Sequence, residues 1–450
     1  MKKIAIIGGN ISGLTTIFSL QDELEPSEVV LIEKNHYDLK TTPLYGVTLA
    51  SIFEKILNRF DISFTTEPLI YDLTQIHDSD GKIVMEFQTP ISVVDLPLFQ
   101  LKFSKSIGQE YVLDCTKAMK FQSLHGKNIL RISTTGRHSG IIEATTTIDS
   151  SGFDWFLARE SMKREEYNLF KHNYFTFYQV ILETTRTSIE KEALHIIFNE
   201  YAVPGGFAVL FSPASDKTWI LGFYNAFLTH RTPLDSINTV KNSLGIIGRV
   251  THLFSKEIFL GRPLLTISPF NSIFLFGASN LGVYPTLFSG IVYNITATQK
   301  LAGFLLRLLD SYMSPEEISL RINNHYAKIL FPISEIFDVI RILLLSIRSN
   351  ILEDLITWSL ELLKMIFFGQ SSDISDRLLQ ILIGFLSSPQ ISKKAMIILK
   401  SIHELLEVFK DMPSDSMSSW IEFAQSFSRE YSKRVTQLVP KNLAESIAKK

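Results

Sequence analysis

Near its start the chain reads "KIAIIGGNISGL" (Lys3–Leu14), and no other stretch narrows the possible folds as much. Four apolar residues, Ile4–Ile7, predict a strand. Gly8, Gly9 and Gly13 follow, and a helical pattern runs from about Ser12 to Leu24. "EVVLIEK" (Glu28–Lys34) predicts a second strand that ends on Glu33. Both strands are continuous apolar runs, as expected of a parallel sheet covered on both faces. A strand, a glycine loop, a helix and a second strand tipped by an acid form the dinucleotide-binding unit. Its first glycine allows the tight turn, the second lets backbone approach a pyrophosphate, and the third lets helix and strand pack closely. The helix then turns its free N–H groups and positive dipole end towards the phosphates, while the acid accepts hydrogen bonds from ribose hydroxyls. Gly8, Gly9, Asn10, Ser12, Gly13, Glu33 and Lys34 are therefore the candidate cofactor-binding residues of this unit. The middle glycine is replaced by Asn10, a residue that tolerates positive φ better than most and whose amide can donate to a phosphate. A βαβ unit of this kind that binds nothing stays open as the alternative.

Other chemistries find little support. A net charge of -2 with no long basic run argues against nucleic acid. The single cysteine, Cys115, excludes an intrachain disulfide framework, fits a reducing compartment, and is expected to be a small core hydrophobe. "HELLE" at His403 has Glu407 where a zinc-binding helix needs its second His, so no metal site is expected. No Gly-x-Ser-x-Gly elbow or Walker loop is present. Met1-Lys2-Lys3 and the following apolar run mimic a signal peptide, but Gly8-Gly9-Asn10 breaks that run and no clean cleavage site follows. Pro263 to Gln299 contains no charged residue, yet Pro269, Gly277, Asn280, Gly282 and Pro285 interrupt it, so buried strand, loop and helix are expected rather than a membrane span. A cytoplasmic protein follows from these readings.

Alternating apolar patterns mark further strands at "KIVMEF" (82–87), "NILRIST" (128–134) and "IIEATTTIDSSG" (141–152), and a strand-rich block fills roughly 172 to 262. After Thr296 the period changes to that of helices. "SPEEISLRINNHYAKIL" opens with Ser314 as N-cap, then Pro315, Glu316 and Glu317 in the first turn. Four short amphipathic helices are expected between 334 and 409. They form a bundle packed on itself, or present a face to an apolar substrate or to the inner surface of a membrane.

Beyond the first loop, the sequence resembles the geranylgeranyl reductase family of FAD-dependent oxidoreductases, within the larger group that includes p-hydroxybenzoate hydroxylase. The likeness covers roughly residues 1 to 330. It is carried by the N-terminal loop with Glu33, "VVDLPLFQLKFSKSIG" (93–108), and "TIDSSGFDWFLAR" (147–159) with Asp149 and Gly152. It continues through "VPGGFAVLFSPASDKTWILGFY" (203–224) and "FLFGASNLGVYPTLFSGIVYNITATQKLA" (274–302). The resemblance implies an α/β fold: a Rossmann-like FAD-binding domain with a parallel sheet (1–155 plus 265–305), an inserted antiparallel-sheet substrate domain (156–264), and a helical C-terminal region (306–450). It adds Gly277, Gly290 and Ile291 to the FAD-binding candidates, and Phe207, Phe211 and Phe223 as walls of an apolar substrate cavity.

The departures from the family are specific. Leu44-Tyr45-Gly46 stands where the family has Arg-Cys-Gly, Leu96 replaces an Arg, and Ala278 replaces the acid that binds the ribityl chain. Tyr45, near the family's cysteine beside the flavin, is a weak catalytic candidate, and the catalytic acid is otherwise unknown. With FAD bound, the resemblance implies reduction of carbon–carbon double bonds in isoprenoid or other apolar lipid substrates, with electrons from a docked NAD(P)H or a reduced protein donor. Two alternatives stand beside it: a cofactor-free relative that binds lipid or acts as a scaffold, and a flavin monooxygenase of apolar substrates.

Overall fold

A computed structural model describes residues 2–36, 44–63, 69–124, 126–134, 139–152, 174–199, 201–203, 207–213, 217–225, 232–259, 264–270, 272–277, 290–331, 334, 412–413 and 415–438. Pro204, Gly205 and Gly206 of the 203–224 segment, Ala278 and the four helices expected between 334 and 409 lie outside these residues, apart from Ser334.

Strand β1 (Lys2–Ile7) leads into helix α1 (Ile11–Leu20) and strand β2 (Val29–Ile32). The helix stops four residues short of the expected Leu24; Gln21 caps it, and Leu24 still reaches the core through the turns that follow. β1 pairs in parallel with β2 on one side and with β11 (Ser139–Asp149) on the other. β8 (Val112–Leu113), β9 (Thr116–Leu124), β10 (Lys127–Thr134) and β17 (Ile273–Leu275) complete a seven-stranded sheet. Its order is β8-β2-β1-β11-β10-β9, with β17 alongside the end of β11. Ile4 and Ile6 face α1, whereas Ala5 and Ile7 pack with Leu130, Ala144 and Ile273 on the other face. Burial on both faces is why β1 reads as an unbroken apolar run.

The second sheet has the order β16-β12-β15-β14-β13-β5-β6. Its later strands are β12 (Tyr174–Arg186), β13 (Ala193–Ile197), β14 (Ala208–Phe211), β15 (Thr218–Asn225) and β16 (Ile247–Phe259). It also takes in β5 (Leu73–His77) and β6 (Ile83–Phe87), which lie within the 1–155 segment expected to belong to the FAD-binding domain. β5 joins by parallel pairing with β13, a contact between segments more than a hundred residues apart that no local pattern encodes. Helix α4 (Pro233–Ser243), closed by a Thr232–Asp235 capping box, covers one face of this sheet through Ile237 and Val240. A small third sheet, β3-β7-β4, is built from Tyr45–Leu49, Ile91–Asp95 and Leu69–Tyr71. Helices α2 (Ala50–Arg59) and α3 (Leu96–Ser104) follow β3 and β7.

Helix α5 (Gly290–Leu309) lies against α1, and α6 (Pro315–Ile329) and α7 (Met417–Leu438) pack behind it. Ser314 caps α6 with Glu317 in a reciprocal box, as its sequence predicts. α5 starts before Thr296, where the sequence reading places the change of period. Among the described residues no helix is long and apolar enough to cross a membrane.

Candidate functional site

The loop after β1 stands where the sheet is entered from both sides. Gly8 N–H donates to Ile32 O of β2 (2.8 Å), while Ser150 N–H, just past β11, donates to Ile7 O (2.8 Å). This is the crevice at the carboxyl ends of parallel strands where open α/β sheets bind ligands. Gly8 has φ +95°, and a Cβ there would lie 2.6 Å from Ser150 O. Gly13 seats the first turn of α1 on the loop, since a Cβ there would lie 1.9 Å from Gly8 O.

Asn10 is the N-cap of α1. Its φ of −72° is ordinary extended backbone, so the tolerance of positive φ that the sequence reading invoked is not used. Its Oδ1 accepts from Ser12 N–H (3.0 Å) and Gly13 N–H (3.2 Å), and its Nδ2 donates to Ser150 O (2.6 Å). Glu33, buried at the end of β2, accepts from Gly9 N–H (2.5 Å) and Asn35 N–H (2.8 Å). Lys34 beside it is exposed. Asp149 is fully buried and accepts from the Ser151 N–H (2.8 Å) and hydroxyl (2.6 Å), turning the chain towards Gly152 at φ +72°.

Gly277 and α5 close the same crevice. Phe276 N–H donates to Asp149 O (2.9 Å), which brings Gly277 beneath α1. Gly277 has φ +63°, and a Cβ on it would sit 1.8 Å from Ser12 Oγ and 2.8 Å from Asn294 Oδ1. Ser12 Oγ donates to Asn294 Oδ1 (2.8 Å), and Asn294 Nδ2 donates to Gly290 O (2.8 Å). The starts of two helices, at Asn10–Gly13 and at Gly290–Ile291, are thereby tied together. Sequence reasoning missed Asn294; its one signal is an Asn four residues after Gly290, on the same helix face.

Leu44 and Leu96, two of the departures, are neighbours: Leu96 N–H donates to Leu44 O (2.9 Å), and Leu96 packs over Gly46. Asp95 caps α3 through Leu98 N–H (3.1 Å), and burial raises its carboxyl. Tyr45 N–H donates to Gln179 Oε1 of β12 (2.8 Å), and its ring meets Phe211 edge-on at 5.5 Å. Burial, and then the charge of Asp95, raise the Tyr45 phenol. Tyr71 also meets Phe211 (6.2 Å) and donates to Ser212 O (2.6 Å); burial pushes its phenol up to about 12.

The three substrate candidates do not come together. Phe207 and Phe211 pack towards the main core, with Phe207 against Phe198 at 5.9 Å. Phe223 faces the opposite side of the sheet, stacked on Tyr178 at 5.3 Å among Trp219, Val180 and Ile237. Strand alternation separates them: Phe211 pairs with Ile220, so Phe223, three residues on, points the other way. Cys115 is not a core residue. It is partly exposed at φ +50° in a turn, beside a His36–Asp114 pair whose Nδ1–Oδ2 distance is 2.6 Å. That separation is a hydrogen bond; two ligands of one tetrahedral zinc would stand about 3.3 Å apart.

No family model matches the chain, and no curated protein matches it in sequence. Solved structures do match its fold. A geranylgeranyl bacteriochlorophyll reductase-like protein from Thermoplasma acidophilum covers 90% of this chain and 98% of its own, at 12% identity and TM-score 0.59. The flavin-dependent brominase Bmp2 aligns over 90% and 98%, at 12% identity and TM-score 0.58. p-Nitrophenol 4-monooxygenase PnpA from Pseudomonas putida DLL-E4 aligns over 91% and 98%, at 11% identity and TM-score 0.55. The chain has the α/β fold that these three proteins share, one of them a flavin-dependent brominase.

Proposed function

We propose that the chain is an FAD-dependent oxidoreductase of apolar substrates, and that its reaction is reduction of carbon–carbon double bonds in isoprenoid-like chains. The observation that carries the cofactor is the crevice itself. Two helix starts meet there, and each brings a positive dipole end suited to a pyrophosphate. Gly8 and Gly277 leave no room for a side chain, so backbone forms the floor. Glu33 holds a buried carboxylate at the ribose end. The hydroxyl of Ser150, buried beside the loop, has no partner among the described residues. These residues fit a flavin dinucleotide.

FAD supplies two-electron transfer at its ring when bound. The Gly8–Gly13 turn would hold the phosphates, Gly8 and Gly9 by letting backbone come close and Ser12 and Gly13 through N–H groups that Asn10 caps in the unliganded chain. Glu33 would stand at the ribose and Gly277 with Gly290–Ile291 at the ribityl side. Leu44, Leu96 and Phe211 exclude water on the side facing the second sheet. The raised phenols of Tyr45 and Tyr71 keep their protons at neutral pH, so Tyr45 can hold a proton at its Oη. The reductase reading draws support from the match to the geranylgeranyl reductase-like structure and the motif order of the sequence. The match to a monooxygenase favours oxygen insertion as the second reading.

The test is the visible spectrum of protein purified without added cofactor, repeated after incubation with FAD and gel filtration. Flavin bands that travel with the protein are expected. Anaerobic reduction of a prenyl alkene then separates reductase from monooxygenase, which instead consumes oxygen with substrate. Protein that stays colourless and refuses added FAD overturns the proposal.

A further inference from the structure

The first turn of α1 does not present bare donors to a phosphate. Oδ1 of Asn10 takes the N–H groups of Ser12 and Gly13, two of the donors that the start of a helix leaves without an intrahelical partner. Nδ2 of the same side chain reaches across to Ser150 O, tying the loop to the end of β11. Gly9 N–H is likewise held, by Glu33. A glycine at position 10 has no side chain to do any of this, and would leave the two N–H groups of α1 to solvent or ligand.

Resting on the FAD reading above, we infer that Asn10 is an internal stand-in for the phosphate, a carboxamide that occupies the pyrophosphate end of the site and must release Ser12 and Gly13 before a dinucleotide binds. The geometry gives the sign. The cap is favourable in the unliganded chain, so it acts as an intramolecular competitor. Apparent affinity falls by the fraction of molecules whose cap is open. Exchange of an Asn N-cap for Gly shifts such an equilibrium by about twofold. The effect is confined to the phosphate end, because among the described residues the Asn10 side chain hydrogen-bonds only with α1 and Ser150.

The opposite role, a phosphate ligand, makes the opposite prediction. If the Asn10 amide donated to the pyrophosphate, removing it would weaken binding. The two roles are separated by titrating wild-type protein, Asn10→Gly and Asn10→Asp with FAD, with ADP and with riboflavin. Binding is followed by quenching of flavin fluorescence and, for ADP, by displacement of FAD or by the shift in melting temperature.

Asn10→Gly is expected to bind FAD and ADP about twofold more tightly, to leave riboflavin unchanged, and to melt at a slightly lower temperature without ligand. Asn10→Asp keeps the cap on Ser12 and Gly13, loses the bond to Ser150 O, and sets a negative charge against the pyrophosphate. It is expected to melt below the wild-type temperature, to bind riboflavin as wild type does, and to lose most FAD and ADP affinity; the unchanged riboflavin binding shows that the folded site is intact and that the loss acts at the phosphate end. Equal or weaker FAD binding by Asn10→Gly, with wild type still binding, overturns the inference and leaves the FAD reading standing. Failure of both wild type and Asn10→Gly to bind FAD overturns the two together.

Discussion

At the scale of single residues, the crevice depends on places where no side chain fits, and Gly277 is the clearest. A substitution to Ala asks an L residue to adopt φ +63° and drives a Cβ to 1.8 Å from Ser12 Oγ. The backbone cost is about 1–3 kcal/mol, and the Ser12–Asn294 bond breaks as the hydroxyl is displaced. Gly277→Ala is therefore expected to lose about 3 kcal/mol or more of stability in urea unfolding. Gly290 is the contrast: a Cβ there meets no described atom within 4 Å. Gly290→Ala should leave the stability of the cofactor-free protein within about 1 kcal/mol of wild type, because it also raises helix propensity. Equal losses for the two variants would mean that Gly277 is not held as tightly as its contacts state.

At the scale of elements, the join between β5 and β13 carries the molecule's most sensitive polar contact. His77 Nε2 faces His195 Nδ1 at 3.0 Å, with Gly81 O and Glu190 O at the outer nitrogens (3.1 and 2.6 Å). Gln75 holds the nearby carboxylates of Glu86 and Glu190 on β6 and the loop before β13. Burial lowers both imidazoles, His195 to about 4. In a neutral pair, His195 donates to Glu190 O and accepts from His77, which leaves the Nδ1 of His77 without a proton for Gly81 O. Acid thus loads His77 first, and a second proton meets that charge. A base whose native value is depressed stays neutral in the fold and takes its proton on unfolding. Its contribution is complete above the ordinary value of 6.5 and is lost as pH falls towards 4. Urea unfolding should show flat stability from pH 8 to 7 and a fall of about 3 kcal/mol by pH 4. His195→Gln should flatten that fall. This element pairing is also where the sequence was least legible. "KIVMEF" announces β6, but the parallel pairing of the preceding strand β5 with β13, more than a hundred residues away, leaves no trace in either segment's pattern. β1, α1 and β2 were legible because burial on both faces and the glycine loop act within thirty residues of chain. At the site, Gly8, Gly13, Glu33 and Gly277 could be anticipated from their motifs, whereas the capping role of Asn10 and the bond of Ser12 to Asn294 depend on tertiary placement.

At the scale of the whole molecule, the two large sheets share one core. The cluster that holds Ile4, Leu14 and Phe99 also holds Ile76, Leu194, Phe211 and Ile220 of the second sheet, and Trp420 and Phe427 of α7. The opposite face of the second sheet, under α4, forms a separate cluster around Trp219 and Phe223. Phe211 and Phe223 are thus equally buried aromatics from adjacent strands that serve different halves of the protein. Truncating either to Ala removes a large buried side chain and should cost about 3–5 kcal/mol. Their effects on the proposed flavin site should part company. Phe211 supports the rings of Tyr45 and Tyr71 at the join between sheets, so its loss loosens the wall that excludes water there. Phe223 stacks on Tyr178 behind the sheet and touches none of these groups. Under conditions where both variants remain folded, Phe211→Ala is expected to weaken FAD binding severalfold and broaden the visible bands through added solvent exposure. Phe223→Ala should bind FAD as wild type does. If both variants shift the flavin spectrum alike, the shared core transmits any loss of packing to the site, and the two faces of the second sheet are not functionally distinct.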